Sequence, residues 1–474
     1  MSYQSFIGLE IHIHLKTKSK VFCDCEAGFG DAENSRVCPV CMGYPGVMPR
    51  LNGEAILMGY TVARALGCAL SPRTVFERKH YFYPDMPKNY QISQFAHPLG
   101  EGGRFEFELA GERRSVSIRE CHLEEDAGKM IHAGDMSLLD NNRAGYPLLE
   151  IVTNPDMSTG EEAEAFLLAF RRMVRYLGVC DGNMEEGSLR CDANVSVNAA
   201  GKGLGVKVEL KNMNSSRFVK KGLNYEIARQ IGLLESGKAV VQETRLWNEN
   251  RDQTETMRRK ESAHDYRYFP EPDLPPFSPD AAFLARVEAA QVELPLARKA
   301  RLMAEGGISA ELADFIVEEK AMADYYEAVI ATGVNPATAA AWLSSDVQGQ
   351  LKRAGIGIAE APLDPARFAR VLKLLESGAI HSKIAKQTIQ AVFDEGKDPE
   401  AIIAERGWDR AADSGELGAI LDELLAREAS TVERIKGGDK KPLAYLIGEA
   451  MKASEGRAEP RAVKDAIMER IGAV

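Results

Sequence analysis

The chain lacks most of the features that assign a protein to a class at first sight. It has no uninterrupted apolar run of about 18 residues, so no membrane-spanning helix is expected. Its opening residues, MSYQSFIGLEIHIHL, have no basic start followed by an apolar stretch. That excludes a secretory signal and argues against an Arg-rich transit peptide. Both absences imply a cytoplasmic protein, in which the 8 cysteines would be reduced. Basic residues are not in excess: 59 Lys and Arg face 70 Asp and Glu, a net charge of −11. A bulk electrostatic binder of nucleic acid is therefore disfavoured, and only local basic patches remain. There is no G-x-x-x-x-G-K-[ST], no H-E-x-x-H and no G-x-S-x-G, and no Gly/Ser-rich amidase signature. A Walker-type phosphate loop, a zincin helix and a nucleophile elbow are all excluded. The segment Gly201-Lys202-Gly203-Leu204-Gly205 is a turn between polar and β-branched runs, not a dinucleotide fingerprint.

What is present is an ordinary globular composition, 45% apolar and 27% charged over 474 residues, enough for two to four domains with sizeable cores. Up to about residue 270 the chain is dense in glycine, aromatics and β-branched alternation. Gly8–Leu15, Ser115–Leu123, Ala193–Val197 and Gly205–Lys211 read as strands, and Glu54–Leu66, Glu161–Leu177 and Phe218–Ser236 as helices. The mixture indicates a large α+β domain. Prolines 270, 272, 275, 276, 279 and 295 mark the best linker candidate. Beyond it alanine, glutamate and leucine dominate at helical spacing, in Ala310–Ala331, Pro365–Leu375 and Gly415–Ala426, with a weaker break over Gly396–Gly415. The expected division is 1–294, 295–407 and 408–474.

Chemistry-bearing residues cluster in the first part. In Gly8–Leu15 alternation is strict: Leu9, Ile11, Ile13 and Leu15 take one face of a strand, and Glu10, His12 and His14 the other. A Glu and a His two apart can share a cation, or the face can simply be solvated. In His122-Leu123-Glu124-Glu125-Asp126 three consecutive carboxylates repel one another unless a cation or arginines neutralise them, and oxygen-rich sites of that kind suit Mg²⁺; a charged turn is the plain alternative. Glu150 lies inside the apolar run Leu148–Val152 and needs a cation or a donor. Asp192 and Glu209 add acidic strand residues. Arg78–Tyr90 interleaves basic and aromatic side chains, as would suit a nucleotide or an RNA end, or equally a proline-punctuated loop with aromatic anchors.

Cys23, Cys25, Cys38 and Cys41 form C-x-C followed by C-x-x-C, a compact set that can complete a tetrahedral Zn²⁺ site of structural type. Cys68, Cys121, Cys180 and Cys191 are scattered and read as buried thiols. Between Arg434 and Lys464 basic residues outnumber acidic ones. That bias fits a phosphate backbone or, on sequence alone, a solvated helix face.

Taken in order, the motifs resemble the GatB family, the B subunits of the bacterial aspartyl/glutamyl-tRNA(Asn/Gln) amidotransferases. They are Gly8–Leu15; Tyr81-Phe82-Tyr83-Pro84-Asp85 with Lys88 and Tyr90–Gln94; His122–Lys129; Met184–Asn194; Glu209–Asn212; and Asp265–Asp273. The resemblance runs on to the end of the chain, where Ala444–Arg461 is similar to the family's tRNA-contacting tail. It implies a cradle-like α+β catalytic domain, related in outline to glutamine synthetase, then a helical body and a small helical tail domain. It implies a carbon–nitrogen ligase that uses ATP and Mg²⁺ to phosphorylate the side-chain carboxylate of Glu-tRNA(Gln) or Asp-tRNA(Asn). Ammonia, released from glutamine by an amidase partner, the A subunit, then displaces the phosphate; a small C subunit completes a heterotrimer. By the same resemblance Glu10, His12, Glu124, Glu125 and Glu150 would hold the metal. Lys79, Tyr81 and Lys88 would position phosphates or the aminoacyl end. Arg190, Asp192 and Glu209 would line the approach of ammonia. His14 stands where many relatives carry Glu or Gln, and is left out of the metal set.

Overall fold

The computed structural model describes all residues except 1, 29, 260–264, 409–413, 438, 440, 455–457, 459 and 473–474. The chain forms two compact units, Met1–Ala297 and Arg298–Val474.

The first unit is mixed α+β. Among the described residues, nine strands make one sheet, in the order Gln253–Arg259, Glu243–Asn248, Val208–Lys211, Leu189–Ala199, Tyr3–His14, Pro147–Thr153, Glu112–Glu125, Gly100–Leu109 and Ala69–Leu70. The pairings are antiparallel except that Val208–Lys211 runs parallel to Glu243–Asn248. Four central strands are named below: β1 (Tyr3–His14), β2 (Glu112–Glu125), β3 (Pro147–Thr153) and β4 (Leu189–Ala199).

Alternation sorts each strand's side chains between two faces. On β1, Ile7, Leu9, Ile11 and Ile13 are all buried in the main apolar core. Helices α1 (Gly53–Ala65), α2 (Gly160–Tyr176) and α3 (Ser216–Glu235) contribute to that core. In α2 the buried residues Ala163, Phe166, Leu167, Phe170, Met173 and Val174 recur at three and four residues, which makes one apolar stripe. Phe166 meets Phe105 edge-on at 5.5 Å. The helix starts where Thr159 accepts from the Glu162 backbone N–H, a cap of about 1 kcal/mol. Asn52 and Ser215 cap α1 and α3 in the same way. The apolar face thus anchors the sheet, and the opposite face is free to carry charge.

A smaller sheet pairs Phe269–Pro270, Glu77–His80 and Tyr90–Ser93. The proline-rich stretch read as a linker belongs to the first unit. Glu271 is buried and accepts two hydrogen bonds from Arg78, at 2.6 and 2.8 Å, and Val287 sits in the core. Proline there shapes short extended pieces rather than a tether.

The second unit is helical and, among the described residues, holds two separate apolar clusters, one drawn from Leu302 to Ile403 and one from Leu421 to Ile471. The helical spacing over 310–331 resolves into two helices, Ala310–Val317 and Lys320–Ile330, because Glu319 is extended. No helix is long and apolar enough to cross a membrane among the described residues.

Candidate active site

Strand register, rather than nearness in sequence, assembles the site. β1 pairs with β4 on one side and β3 on the other, and β3 pairs with β2. In this register Arg190, His12, Glu150 and His122 form one row across four strands. Nε2 of His12 and Nε2 of His122 each lie 3.2 Å from the same Glu150 oxygen, Oε2. His12 Nε2 is also 3.9 Å from Glu10 and 3.9 Å from Glu124. Two overlapping trios result, Glu10–His12–Glu150 and His122–Glu124–Glu150, the ligand atoms of each lying within 4.8 Å of one another. Ser93 Oγ donates to Glu124 at 3.1 Å and fixes its rotamer.

The electrostatics follow from this crowding. Burial works against a charge on His12, but the hydrogen bond to Glu150 and the fields of Glu150, Glu124 and Glu10 raise it to about 9. His122 is raised by Glu150 and Glu124 against the same penalty. Glu150, also opposed by burial, is held well below the usual carboxylate range by the two imidazoles. Glu10 moves the other way, pushed up by burial and by Glu150. The two imidazoles thus stand as counter-charges among three carboxylates.

Lys79 lies beside this face. Burial disfavours its charge, but Glu124, Tyr268 and Glu150 outweigh that and raise it, and its Nζ sits 5.2 Å from the Tyr266 ring. Tyr81 lies close enough to Asp85, Glu124, Glu125 and Asp126 that their charges add to burial in raising its hydroxyl. Phe82 and Tyr83 beyond it are exposed. On the β4 side Lys211 bridges Asp192 and Glu209, the latter at 3.3 Å, and Thr244 donates to Glu209 at 2.7 Å. Asp192 lies opposite Glu10 in register. The polar face is therefore continuous from Thr244 through Glu209, Lys211 and Asp192 to the histidine row.

Three expected residues, Glu125, Lys88 and Arg190, turn their side chains to partners outside the trios. Consecutive strand residues point to opposite faces, so Glu124 and Glu125 cannot both meet the histidines. Glu125 pairs with buried Lys88 and accepts from the Ile92 backbone N–H at 2.8 Å. It and Lys88 line a cavity of about 130 Å³ with Cys23, Cys41, Arg78 and Tyr90. Glu125 is thus outside the trios, and Lys88 is its counter-ion. Arg190 donates to Asp126 at 2.7 Å, and His14 Nε2 meets the same oxygen at 2.7 Å. Burial alone would raise the Asp126 carboxyl. Arg190, His14 and Arg143 hold it well below the usual range instead. The β1 alternation does not bring His14 to the cation cluster, because Asp126, just past the end of β2, captures it.

The sulfur atoms of Cys23, Cys25, Cys38 and Cys41 lie within 4.8 Å of one another, with Cys38 and Cys41 3.9 Å apart. Thiolates at about 2.3 Å from one tetrahedral ion would be about 3.8 Å apart, so the set has the right dimensions. Lys20, fully buried, places Nζ 2.8 Å from the Arg36 carbonyl, 3.4 Å from the Asn141 carbonyl and 3.7 Å from Cys41 Sγ. A buried ammonium among carbonyls needs an anion, and a thiolate supplies it. In the tail, Arg434, Lys436 and Lys452 pair with Asp439, Glu433 and Glu449, which blunts the local basic bias; Lys440 and Arg457 lie outside the described residues.

Two family models match the chain: the GatB/GatE catalytic domain over residues 5–285 and the GatB domain over residues 324–471. The chain is 46% identical over 475 residues to the aspartyl/glutamyl-tRNA(Asn/Gln) amidotransferase B subunit of Carboxydothermus hydrogenoformans, covering 99% of both. It is 45% identical to the B subunits of Geobacter sulfurreducens and Moorella thermoacetica, covering 99% of this chain and 100% of each relative. The chain belongs to the GatB family of amidotransferase subunits. The first family model spans every residue of the histidine row, and with it both trios.

Proposed function

We propose that this chain is the subunit of a tRNA-dependent amidotransferase that activates a carboxylate and lets ammonia replace the activating group. The substrate is the aminoacyl end of Glu-tRNA(Gln) or Asp-tRNA(Asn). The reaction is that of a carbon–nitrogen ligase with glutamine as the amido donor. A carboxylate resists attack by ammonia because oxide is a poor leaving group. Transfer of the ATP γ-phosphoryl group to the side-chain oxygen creates a good one. Ammonia then forms the C–N bond, and inorganic phosphate leaves.

The observation that carries this reading is the convergence of His12, His122, Glu10, Glu124 and Glu150 on one polar sheet face. A divalent cation fits it, since donors of both types lie within one ion's reach. Glu10, His12 and Glu150, with Glu124 beside them, would hold Mg²⁺. When bound, the ion screens phosphate from carboxylate and draws charge from the transferring group. Lys79 offers a fixed ammonium for the phosphates or the aminoacyl end, with Tyr81 near it. The Lys88–Glu125 pair keeps both charges satisfied until substrate displaces one of them. Asp192 and Glu209, bridged by Lys211, form a polar approach on which ammonia can be held by carboxylate acceptors, and Arg190 steadies Asp126 beside it.

The cysteine set is a structural Zn²⁺ site that braces the loop lining the Lys88–Glu125 cavity. The partners are an amidase, the A subunit, which supplies ammonia, and a small C subunit. The division at about 294 and 407 gives a catalytic domain, a helical body and a tail that touches tRNA. The protein acts in the cytoplasm. The test is amide formation by the assembled complex with glutamine, ATP and misacylated tRNA. Glu150→Gln should abolish product, whereas normal turnover by that variant would remove the chemistry from this face.

A further inference from the structure

Away from the histidine row the large sheet carries a second chemical feature. Val208–Lys211 and Glu243–Asn248 run parallel and are joined through α3. In a strand–helix–strand unit of this kind, a crevice opens at the carboxyl ends of the strands, beside the N-terminus of the helix. A cavity of about 270 Å³ lies there. Asn212, Asn214, Asn248 and Asn250 line it together with Trp247 and Glu249.

The groups around this crevice are mostly donors. α3 runs from Ser216 to Glu235 and has no acidic residue in its first turn. Ser215 Oγ accepts from the Phe218 N–H at 3.2 Å, which leaves the N–H groups of Ser216 and Arg217 without an acceptor among the described residues. Those groups and the helix dipole favour negative charge. A separate observation points the same way. Trp247 is only 3% exposed, yet its Nε1 has no hydrogen-bond partner among the described residues. An indole N–H can only donate, and a buried one ordinarily finds an acceptor. The Cε3 edge of the ring lies against Gly222 of α3, and Nε1, on the opposite edge, turns to the cavity that the residue lines. Asn212, at a φ of +64°, turns the chain out of its strand and donates to the Trp247 carbonyl at 3.3 Å, which ties the two sides of the crevice together. Glu249 is exposed and is the one carboxylate in the lining.

We infer that this crevice binds a phosphate group, held by the N-terminus of α3, the Trp247 indole N–H and the Asn214 amide, with Glu249 limiting the affinity from the rim. None of these residues belongs to the two trios or to the cavity beside Lys88. The site therefore stands apart from the proposed activation chemistry and needs no cation. Two sources carry a phosphate of this kind, a free nucleotide and an RNA backbone.

The test labels the 3 tryptophans of the full-length chain with ¹⁵N and follows their indole N–H resonances. Trp247→Phe keeps an aromatic ring, deletes the N–H and assigns the signal. Inorganic phosphate, added with a chelator that removes divalent cations, should shift that signal downfield to saturation, and chloride at equal ionic strength should not. Asn214→Asp is nearly isosteric and sits favourably ahead of a helix, so it should fold and bind phosphate about fivefold more weakly. Glu249→Gln should bind it about fivefold more tightly, as expected for unit charges a few ångströms apart in water. AMP and a short RNA hairpin then replace phosphate. Tighter binding of AMP assigns the site to nucleotides, and tighter binding of the hairpin assigns it to the RNA backbone. A shift that never saturates, a shift that chloride reproduces, or an affinity indifferent to both charge variants would overturn the inference. If Trp247→Phe fails to fold, the charge variants still identify the site, because only binding at this crevice responds to the two with opposite sign.

Discussion

Lys20 offers a sharp test of the cysteine centre. Its ammonium is fully buried and meets two neutral carbonyls and, at 3.7 Å, Cys41 Sγ. The Cys41 thiol is held below its ordinary value mainly by its hydrogen bond with Cys23, with burial opposing and Lys20 adding to the lowering. Lys20→Met keeps the length of the apolar stem and deletes the charge. If zinc sits among the four thiolates, the site would go from one net negative charge to two when the ammonium is lost. A hydrogen bond to a charged group contributes about 1.5–3 kcal/mol, which corresponds to roughly 10- to 100-fold weaker zinc binding. Second-sphere partners of metal ligands show losses of the same order. The assay is zinc competition against a chelator of known affinity on the purified complex, with wild type and Lys20→Met side by side. Unchanged or tighter zinc binding in the variant would refute the reasoning and reduce Lys20 to a buried structural cation.

Other outcomes follow from the same geometry. His12→Ala should abolish phosphoryl transfer and leave tRNA binding intact, measured by γ-labelled ATP and filter binding; parallel loss of both would contradict the separation. His12, held at about 9, is protonated at pH 7, and a cation must expel that proton. Mn²⁺ affinity should therefore rise by about tenfold per pH unit from 7 towards 9 and level off above it; a flat calorimetric profile would count against His12 as a ligand. Asp126 titrates lower in the folded chain than its ordinary value, so its stabilising contribution is present above about pH 4 and is lost as pH falls. Arg190→Ala should move acid unfolding to higher pH, followed by tryptophan fluorescence, and an unshifted transition would show that the pair contributes nothing.

The sequence made individual elements legible where local chemistry fixes them. The alternation in Gly8–Leu15 marks the strand that the structure extends to Tyr3–His14, and the spacing in Glu161–Leu177 marks the helix Gly160–Tyr176. The α+β class and the family also follow from sequence. Pairings over distance were not legible. Glu150 meets His12 only because β3 lies beside β1, 138 residues away along the chain. Lys211, Thr244 and Ser93 entered the site through such contacts, and nothing local distinguishes them from ordinary polar residues. One signal was available and unused: period-two alternation puts His122 and Glu124 on one face and Glu125 on the other. Applied to His122–Asp126, it would have separated Glu125 from the metal candidates and added His122. The proline run misled because proline marks extended backbone as readily as it marks a tether, and here Glu271 and Val287 hold it to the core.

The central claim is that carboxylate activation takes place on the polar face of this chain. The most direct measurement supplies the chain, assembled with the proposed A and C subunits, with γ-labelled ATP, Mg²⁺, glutamine and either Glu-tRNA(Gln) or Asp-tRNA(Asn), and follows phosphate release together with the amide. Release should require the misacylated tRNA and should vanish in Glu150→Gln, while Glu125→Gln should also lose activity because it strands the Lys88 ammonium. Release that survives Glu150→Gln would contradict the account, and this chain would then be a tRNA-binding scaffold for chemistry done elsewhere.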